Sequence, residues 1–217
     1  MGVLLLVRHG QASFGSEDYD VLSPVGWEQG RRLGSWLREA GTHPASVVRG
    51  GMRRHAETAE AAGWADVEVD PGWDEFDHLS VVAAHPEAPA ADVDRREFQR
   101  VFELATARWS AGSHDHEYAE PWPAFRARVR ASLAAAVDRA APGATAVVVT
   151  SGGPIAAVAA DLLDPGADDA TYARLWSRLN TVLVNAAVTR VVVGSTGARL
   201  LTFNEHPHLA GDLVTYR

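Results

Sequence analysis

The run Val3-Leu4-Leu5-Leu6-Val7, followed at once by Arg8-His9-Gly10, constrains the fold of this chain more than any other stretch. Five consecutive apolar residues without polar alternation predict a strand buried on both faces, as in a parallel sheet. The run then stops at a cation, an imidazole and a glycine. Open α/β sheets form their binding crevices at the carboxyl ends of such strands, and glycine lets the backbone turn sharply and a ligand come close. Taken alone, Arg8 and His9 fit equally well as the first solvated residues after a strand. What decides is what the chain places next to them.

The same pattern recurs along the sequence. Ser23-Pro24 reads as an N-cap with proline at the first helical position, opening a helix with Leu33, Trp36, Leu37 and Ala40 on one face and a stop at Gly41. Residues 46–49 form a short strand that runs into Gly50-Gly51 and an Ala-rich helix over 52–62 containing Arg53, Arg54, Glu57 and Thr58. A glycine turn leading into a positively charged helix start suits anion binding. Residues 67–69 make a third strand. A helix over 122–140 carries Phe125, Val129, Leu133 and Val137 at helical spacing. Residues 144–149 form another buried strand, ending in Thr150-Ser151-Gly152-Gly153-Pro154, with helices over 155–163 and 169–179 beyond it. Residues 185–193 and 199–203 close the chain as a strand pair. Strands alternating with helices predict an α/β fold, a three-layer α/β/α sandwich around a mostly parallel sheet.

Two segments stand apart. Residues 11–22 are polar and too long for a simple turn, and are expected to lie over the site. Residues 79–120 are rich in Ala, Asp, His and Arg with several prolines, and helical over 92–111. They hold too few apolar residues for a core of their own, so the expectation is one domain over 1–217 with a largely helical insertion at about 79–120.

Charge narrows the partners. With 20 Lys+Arg against 28 Asp+Glu the net charge is −8, which argues against nucleic acid and anionic membranes and makes any arginine cluster informative. The absence of cysteine excludes disulfides and thiolate metal sites. The opening apolar run lacks the length, basic flank and cleavage site of a signal peptide, and no stretch approaches a membrane span, so the expected location is cytoplasmic.

In a mostly parallel sheet the strand ends share one edge, so Arg8, His9, Arg54, Glu75 and Ser151 can converge there. Two arginines, a histidine and a carboxylate make chemical sense as a phosphoryl-transfer site. Arginine forks pair with phosphate oxygens and hold the charge of the transition state. A neutral imidazole can attack phosphorus, and a carboxylic acid can protonate the leaving oxygen and then activate water. Asp74 and Asp77 flank Glu75, and like charges raise a carboxyl pKa toward the protonated acid.

These residues carry a resemblance to the histidine phosphatases, in their phosphoglycerate-mutase-like branch, over nearly the whole chain. Leu6-Val7-Arg8-His9-Gly10-Gln11 resembles the opening motif, which implies His9 as the phosphorylated nucleophile. Leu22-Ser23-Pro24-Val25-Gly26-Trp27-Glu28-Gln29 is similar to the start of the first helix. Arg54-His55-Ala56-Glu57-Thr58-Ala59 resembles the second-arginine motif, implying Arg54 and not its neighbour Arg53 as phosphate ligand. Glu75 falls where the family carries its proton donor, and Asn185–Thr189 with Phe203–Leu209 resembles the closing strands and tail.

One departure matters. The family follows its last parallel strand with a phosphate-contacting histidine before two glycines, and here Ser151 precedes Gly152-Gly153. A hydroxyl donates one bond and carries no charge. His78, His206 and His208 are the candidates to replace the absent imidazole, His78 foremost because it lies three residues past Glu75. Gln11 stands where a glutamate is common and makes the pocket less acidic. His43, His55 and His85 read as surface residues. His114-Asp115-His116 reads as a solvated loop in preference to a metal site. Trp27, Trp36, Trp64 and Trp176 read as packing residues, while Trp73 suits a pocket wall and plain burial equally. No phosphate-loop or dinucleotide motif occurs.

The reading is therefore a metal-independent phosphohydrolase without cofactor, acting on a small-molecule phosphate ester through phospho-His9. The site set is His9 and Glu75, with Arg8, Arg54, Gln11, His78, Ser151 and Gly152 on the phosphate. The alternative is a phospholigand-binding or regulatory protein that keeps the pocket with little turnover; a phosphoglycerate-mutase-type phosphotransferase ranks behind both.

Overall fold

The computed structural model describes residues 1–13, 20–88, 93–140 and 143–216. Six strands, β1 (Gly2–Arg8), β2 (Ser46–Arg49), β3 (Glu68–Val69), β4 (Thr145–Thr150), β5 (Val188–Gly194) and β6 (Gly197–Glu205), form one sheet in the order β3-β2-β4-β1-β5-β6. The first four run parallel, and β5 is antiparallel to both β1 and β6. The sheet is thus mixed, with the parallel strands forming its larger part. Arg8 pairs with Thr150 and Arg49 with Val149, so the strand ends bearing the chemistry are neighbours.

Seven α-helices flank the sheet among the described residues: α1 (Pro24–Glu39), α2 (Arg53–Ala61), α3 (His78–Ala83), α4 (Arg95–Ser110), α5 (Trp122–Arg139), α6 (Gly152–Leu163) and α7 (Asp169–Val182). Side chains alternate across a strand, and β1 shows the result. Leu5 and Val7 pack with Leu33 and Leu37 of α1 and Ala59 of α2 on one face. Leu4 and Leu6 belong to the larger core of α5, α6 and α7 on the other. Both faces are covered, which is why β1 reads as an unbroken apolar run.

Several boundaries differ from expectation, among them those of the closing strands, since β5 begins at Val188 and not at residue 185, and β6 extends beyond 199–203 at both ends. The helix after β4 begins at Gly152, with Ser151 in the N-cap position, because Pro154 tolerates a first turn that needs no N–H from it. Residues 78–83 form a helix, α3, capped by Asp77, whose Oδ1 accepts the N–H groups of Leu79 and Ser80. The expected start of the insertion's main helix at residue 92 lies outside the described residues, and α4 is described from Arg95. The insertion's apolar residues, including Val81, Val101 and Trp109, join the core shared with α5 and α7. Ser23 caps α1 as expected, accepting from Gly26 N–H at 3.0 Å, and Gly41 follows the helix at φ +70°. Most of the loop expected over the site, residues 14–19, lies outside the described residues.

Candidate active site

His9 is held by its backbone before its ring is considered. Its N–H donates to Thr150 O (2.8 Å), and its carbonyl accepts from Ala186 N–H (3.1 Å) and Asn185 Nδ2 (3.3 Å). Gly10 donates to Thr58 Oγ1, which donates in turn to Arg54 O, tying β1 to α2. A Cβ at Gly10 would lie 2.5 Å from the carbonyl oxygen of Gly26, so this glycine is required by the start of α1 packed against it.

The His9 ring is nearly buried, with Nδ1 at 2.7 Å from Gly10 O. A carbonyl only accepts, so Nδ1 carries the proton and Nε2 presents its lone pair. Burial pushes the ring's pKa well below its usual value, and Arg54, Arg8 and His55 add to the effect. The imidazole is therefore neutral near pH 7.

Two guanidinium groups approach from different elements. Arg54 is buried in the first turn of α2, where Nη1 donates to Asp20 Oδ1 at 2.8 Å. Arg53 turns outward to Glu57. Arg8 donates to the carbonyls of Leu183 and Tyr216, which places the C-terminal tail beside the site. The expected open helix N-terminus at α2 is already occupied, because Arg53 N–H donates to Asp20 Oδ2 and Gly51 N–H to Asp74 Oδ1.

Glu75 lies between the amides of Phe76 and Gly153, its Oε2 accepting from Gly153 N–H at 3.0 Å. Phe76 anchors it in an aromatic cluster, stacked on Trp109 and edge-on to Trp176 and Phe125. Its carboxyl pKa is raised, and the cause is burial; the two amides and the charges of Arg54 and Arg8 oppose the rise. The expected contribution of like charges is not the source. Asp74 is directed to the Gly50–Gly51 turn and Asp77 caps α3.

Sequence reasoning missed one residue here. His55, expected on the surface, is fully buried, with its Nε2 2.8 Å from Ser151 Oγ and its ring centroid 5.7 Å from that of His9. The partner of the Ser151 hydroxyl is thus His55, and the three histidines proposed for that place make other contacts. His78 packs edge-on to Phe102 near Arg54. His206 bonds Asn204 O, and His208 stacks on Trp36. The missed signal was positional: His55 follows the inward-facing Arg54 directly, and Gly50, where any Cβ would strike its ring, makes room for it. Gln11 accepts from Ser23 Oγ at 2.8 Å, which spends its carbonyl on the α1 cap. Gly152 opens α6 against Asn180 and Arg8. Trp73 is fully buried, and its carbonyl accepts from Thr150 Oγ1. His114 and His116 share Glu117, and no cluster of three or more potential metal ligands occurs among the described residues.

A neutral imidazole, two buried or half-buried arginines and a buried carboxyl thus converge at one sheet edge. The model of the histidine phosphatase superfamily (branch 1) matches residues 4–206. The chain belongs to this superfamily.

Membership makes this histidine phosphatase an enzyme of the phosphohydrolase class. No curated protein matches the chain. Among solved structures, a phosphoserine phosphatase mutant from Entamoeba histolytica, in complex with phosphoserine, aligns with a TM-score of 0.68 at 18% identity, covering 97% of this chain and 100% of that one. A Bacillus stearothermophilus protein, YhfR, aligns at 0.67 and 20% identity over 95% and 98% of the two chains. A mycobacterial glucosyl-3-phosphoglycerate phosphatase complexed with VO3 aligns at 0.63 and 24% identity over 95% and 100%. At these identities the likeness is one of fold. No helix of this histidine phosphatase is long and apolar enough to cross a membrane among the described residues.

Proposed function

We propose that this protein hydrolyses small phosphate monoesters through a phosphohistidine at His9. The observation that carries the reading is the Nδ1 contact with Gly10 O, which leaves Nε2 unprotonated between Arg8 and Arg54. In the first step Nε2 attacks phosphorus, forming the P–N bond as the ester P–O bond breaks, and Glu75 gives its proton to the leaving alkoxide. In the second, the Glu75 carboxylate takes a proton from water, whose oxygen attacks phosphorus and displaces Nε2. Phosphate leaves, and His9 and Glu75 return to their starting states. Arg8 and Arg54 hold the charge on the equatorial oxygens throughout, the task a divalent ion performs in other phosphoryl-transfer sites.

The relatives' phosphoserine and glucosyl-3-phosphoglycerate substrates are small phosphomonoesters, which supports the same substrate class here. Trapping during turnover of a labelled aryl phosphate tests the reading. An acid-labile, base-stable phosphoenzyme is expected in the wild type and none in His9→Ala, with turnover unaffected by EDTA. Full activity in His9→Ala overturns it, and phosphate-induced stabilisation without any hydrolysis assigns the pocket to binding alone.

A further inference from the structure

His55 and Ser151 are two buried polar residues inside the site for which the steps above have no use. The two nitrogens of His55 differ in their surroundings. Nε2 is 2.8 Å from Ser151 Oγ, whereas Nδ1 faces the Gly50–Gly51 turn, where the Gly50 backbone favours a proton on the ring, and lies 3.9 Å from Asp74 Oδ1. Ser151 occupies the N-cap position of α6, yet its hydroxyl does not cap the helix. It is placed instead among the reacting groups. Thr150 before it holds the His9 backbone, Gly152 after it lies against Arg8, and Gly153 holds Glu75.

A serine hydroxyl has one proton to donate. With a single proton on His55, the neighbouring Asp74 carboxylate favours Nδ1–H. Nε2 then accepts from Ser151, and the hydroxyl turns only lone pairs to the pocket. With a second proton on the ring, Nε2–H donates to Ser151 Oγ, and the hydroxyl proton is released toward the pocket. The groups facing the ring are Asp74, which favours the second proton, and Arg54, Arg49 and His9, which do not, with Glu75 beyond Gly153. In the unliganded protein burial and the two arginines keep the ring neutral. A dianion bound to Arg54 offsets that charge and brings negative charge of its own toward the ring, which favours the second proton.

We propose that His55 is a positioning residue that takes up a proton from solvent when a phosphoryl dianion enters the pocket, and so turns Ser151 into a hydrogen-bond donor to that dianion. The inference rests on the phosphatase reading, because it takes the pocket beside His9 to be where the dianion binds. It locates the imidazole on α2, the helix that follows β2, acting through a hydroxyl at the end of β4.

Sulfate is the probe, since its charge is constant across the neutral range. Titration calorimetry in buffers of different ionisation heat counts the protons taken up per sulfate bound. The wild type should take up more than His55→Gln, by up to about one proton, because glutamine offers an N–H to Ser151 but does not titrate. In hydrolysis of an aryl phosphate, His55→Ala and Ser151→Ala should each lower kcat by roughly tenfold to a hundredfold with a smaller change in KM. The double variant should be no worse than the weaker single, as for residues acting as a unit, and His55→Gln should recover part of the loss. A purely structural His55 would lower Tm and leave the proton count untouched. Equal proton uptake in the wild type and His55→Gln, or additive losses in the double variant, overturns the inference. If these variants behave like the wild type while His9 is still phosphorylated, only the inference fails; if the wild type forms no phosphohistidine, the phosphatase reading fails first.

Discussion

Arg54 enters the pocket with one arm already committed to Asp20, whose Oδ1 accepts from Nη1 at 2.8 Å while its Oδ2 accepts from the Arg53 N–H at 2.8 Å. One carboxylate therefore aims the buried guanidinium, closes the first turn of α2, and stands where it repels an arriving dianion. Asp20→Asn keeps an oxygen for one of the two bonds and removes the repulsion. The expected result is a KM for an aryl phosphate lowered about threefold or more, equivalent to ~0.7 kcal/mol. Because Asp20 is 37% exposed, the change in stability should stay within about 1 kcal/mol. An unchanged or higher KM, measured at constant ionic strength, refutes this.

The rate should depend on pH through two groups whose pKa values shift toward each other, the imidazole's downward and the carboxyl's upward. His9 must be neutral to attack, and its lowered pKa keeps it so well into the acid range. Glu75 must be protonated to assist the leaving group, and its raised pKa holds that proton to higher pH than an ordinary glutamate. Activity should rise as His9 deprotonates and fall as Glu75 ionises. Glu75→Gln should abolish the alkaline limb and cost roughly a hundredfold or more in kcat. The loss should be larger for an alkyl phosphate than for a nitrophenyl phosphate, whose leaving group needs no proton. Equal losses for the two esters would remove Glu75 as the acid.

Stability should have an acid edge set by histidines. His9 and His55 are held well below the usual imidazole value by burial, and His208 is lowered to about 4, again chiefly by burial. A depressed folded-state pKa means that the unfolded chain binds the proton first as pH falls. Full stability is thus present above the unfolded value of about 6.5 and is lost between there and each folded pKa. Urea midpoints should decline from pH 7 to pH 4.5, and His55→Gln should decline less steeply than the wild type. Parallel curves for the two proteins would exclude His55 from this edge.

The two helices on the α1 face meet at glycines. A Cβ on Gly30 would lie 2.6 Å from the Ala61 side chain, and one on Gly34 would strike the Ala62 carbonyl. Gly34→Ala gains about 1 kcal/mol in helix propensity but forces backbone apart, at a typical cost of 1–3 kcal/mol. The variant should be destabilised on balance. It should also lose kcat, because α2 carries both Arg54 and His55 into the site. An exposed-helix result, stability raised with activity intact, would show that the helices can separate freely.

The sheet was legible because its central strands are buried on both faces, so β1 and β4 appear as unbroken apolar runs ending in polar residues and glycine. Ser23, Pro24 and Gly41 marked α1 through local capping chemistry, which needs no tertiary partner. α3 was not legible: its six residues are too few for a periodic signal, and its start is set by Asp77, which read as one more acid beside Glu75. The same local reading misjudged the cause of the Glu75 shift, since burial against Phe76 and its ring neighbours is a long-range property. His55 was hidden for a related reason. A histidine among Arg, Glu and Thr looks solvated in sequence, and only the packing of α2 against β4 shows which way it points.

The placement of His55 beside Ser151 also joins two distant stretches of the chain in one site. β2 and β4 are adjacent and parallel, so the residues that follow them open onto the same small volume from two addresses in the sequence. The address after β4 by itself holds a serine. Read as a pair, positions 55 and 151 hold an imidazole and a hydroxyl in contact. A substitution at either address therefore changes what the other meets, although the two stand 96 residues apart in the chain.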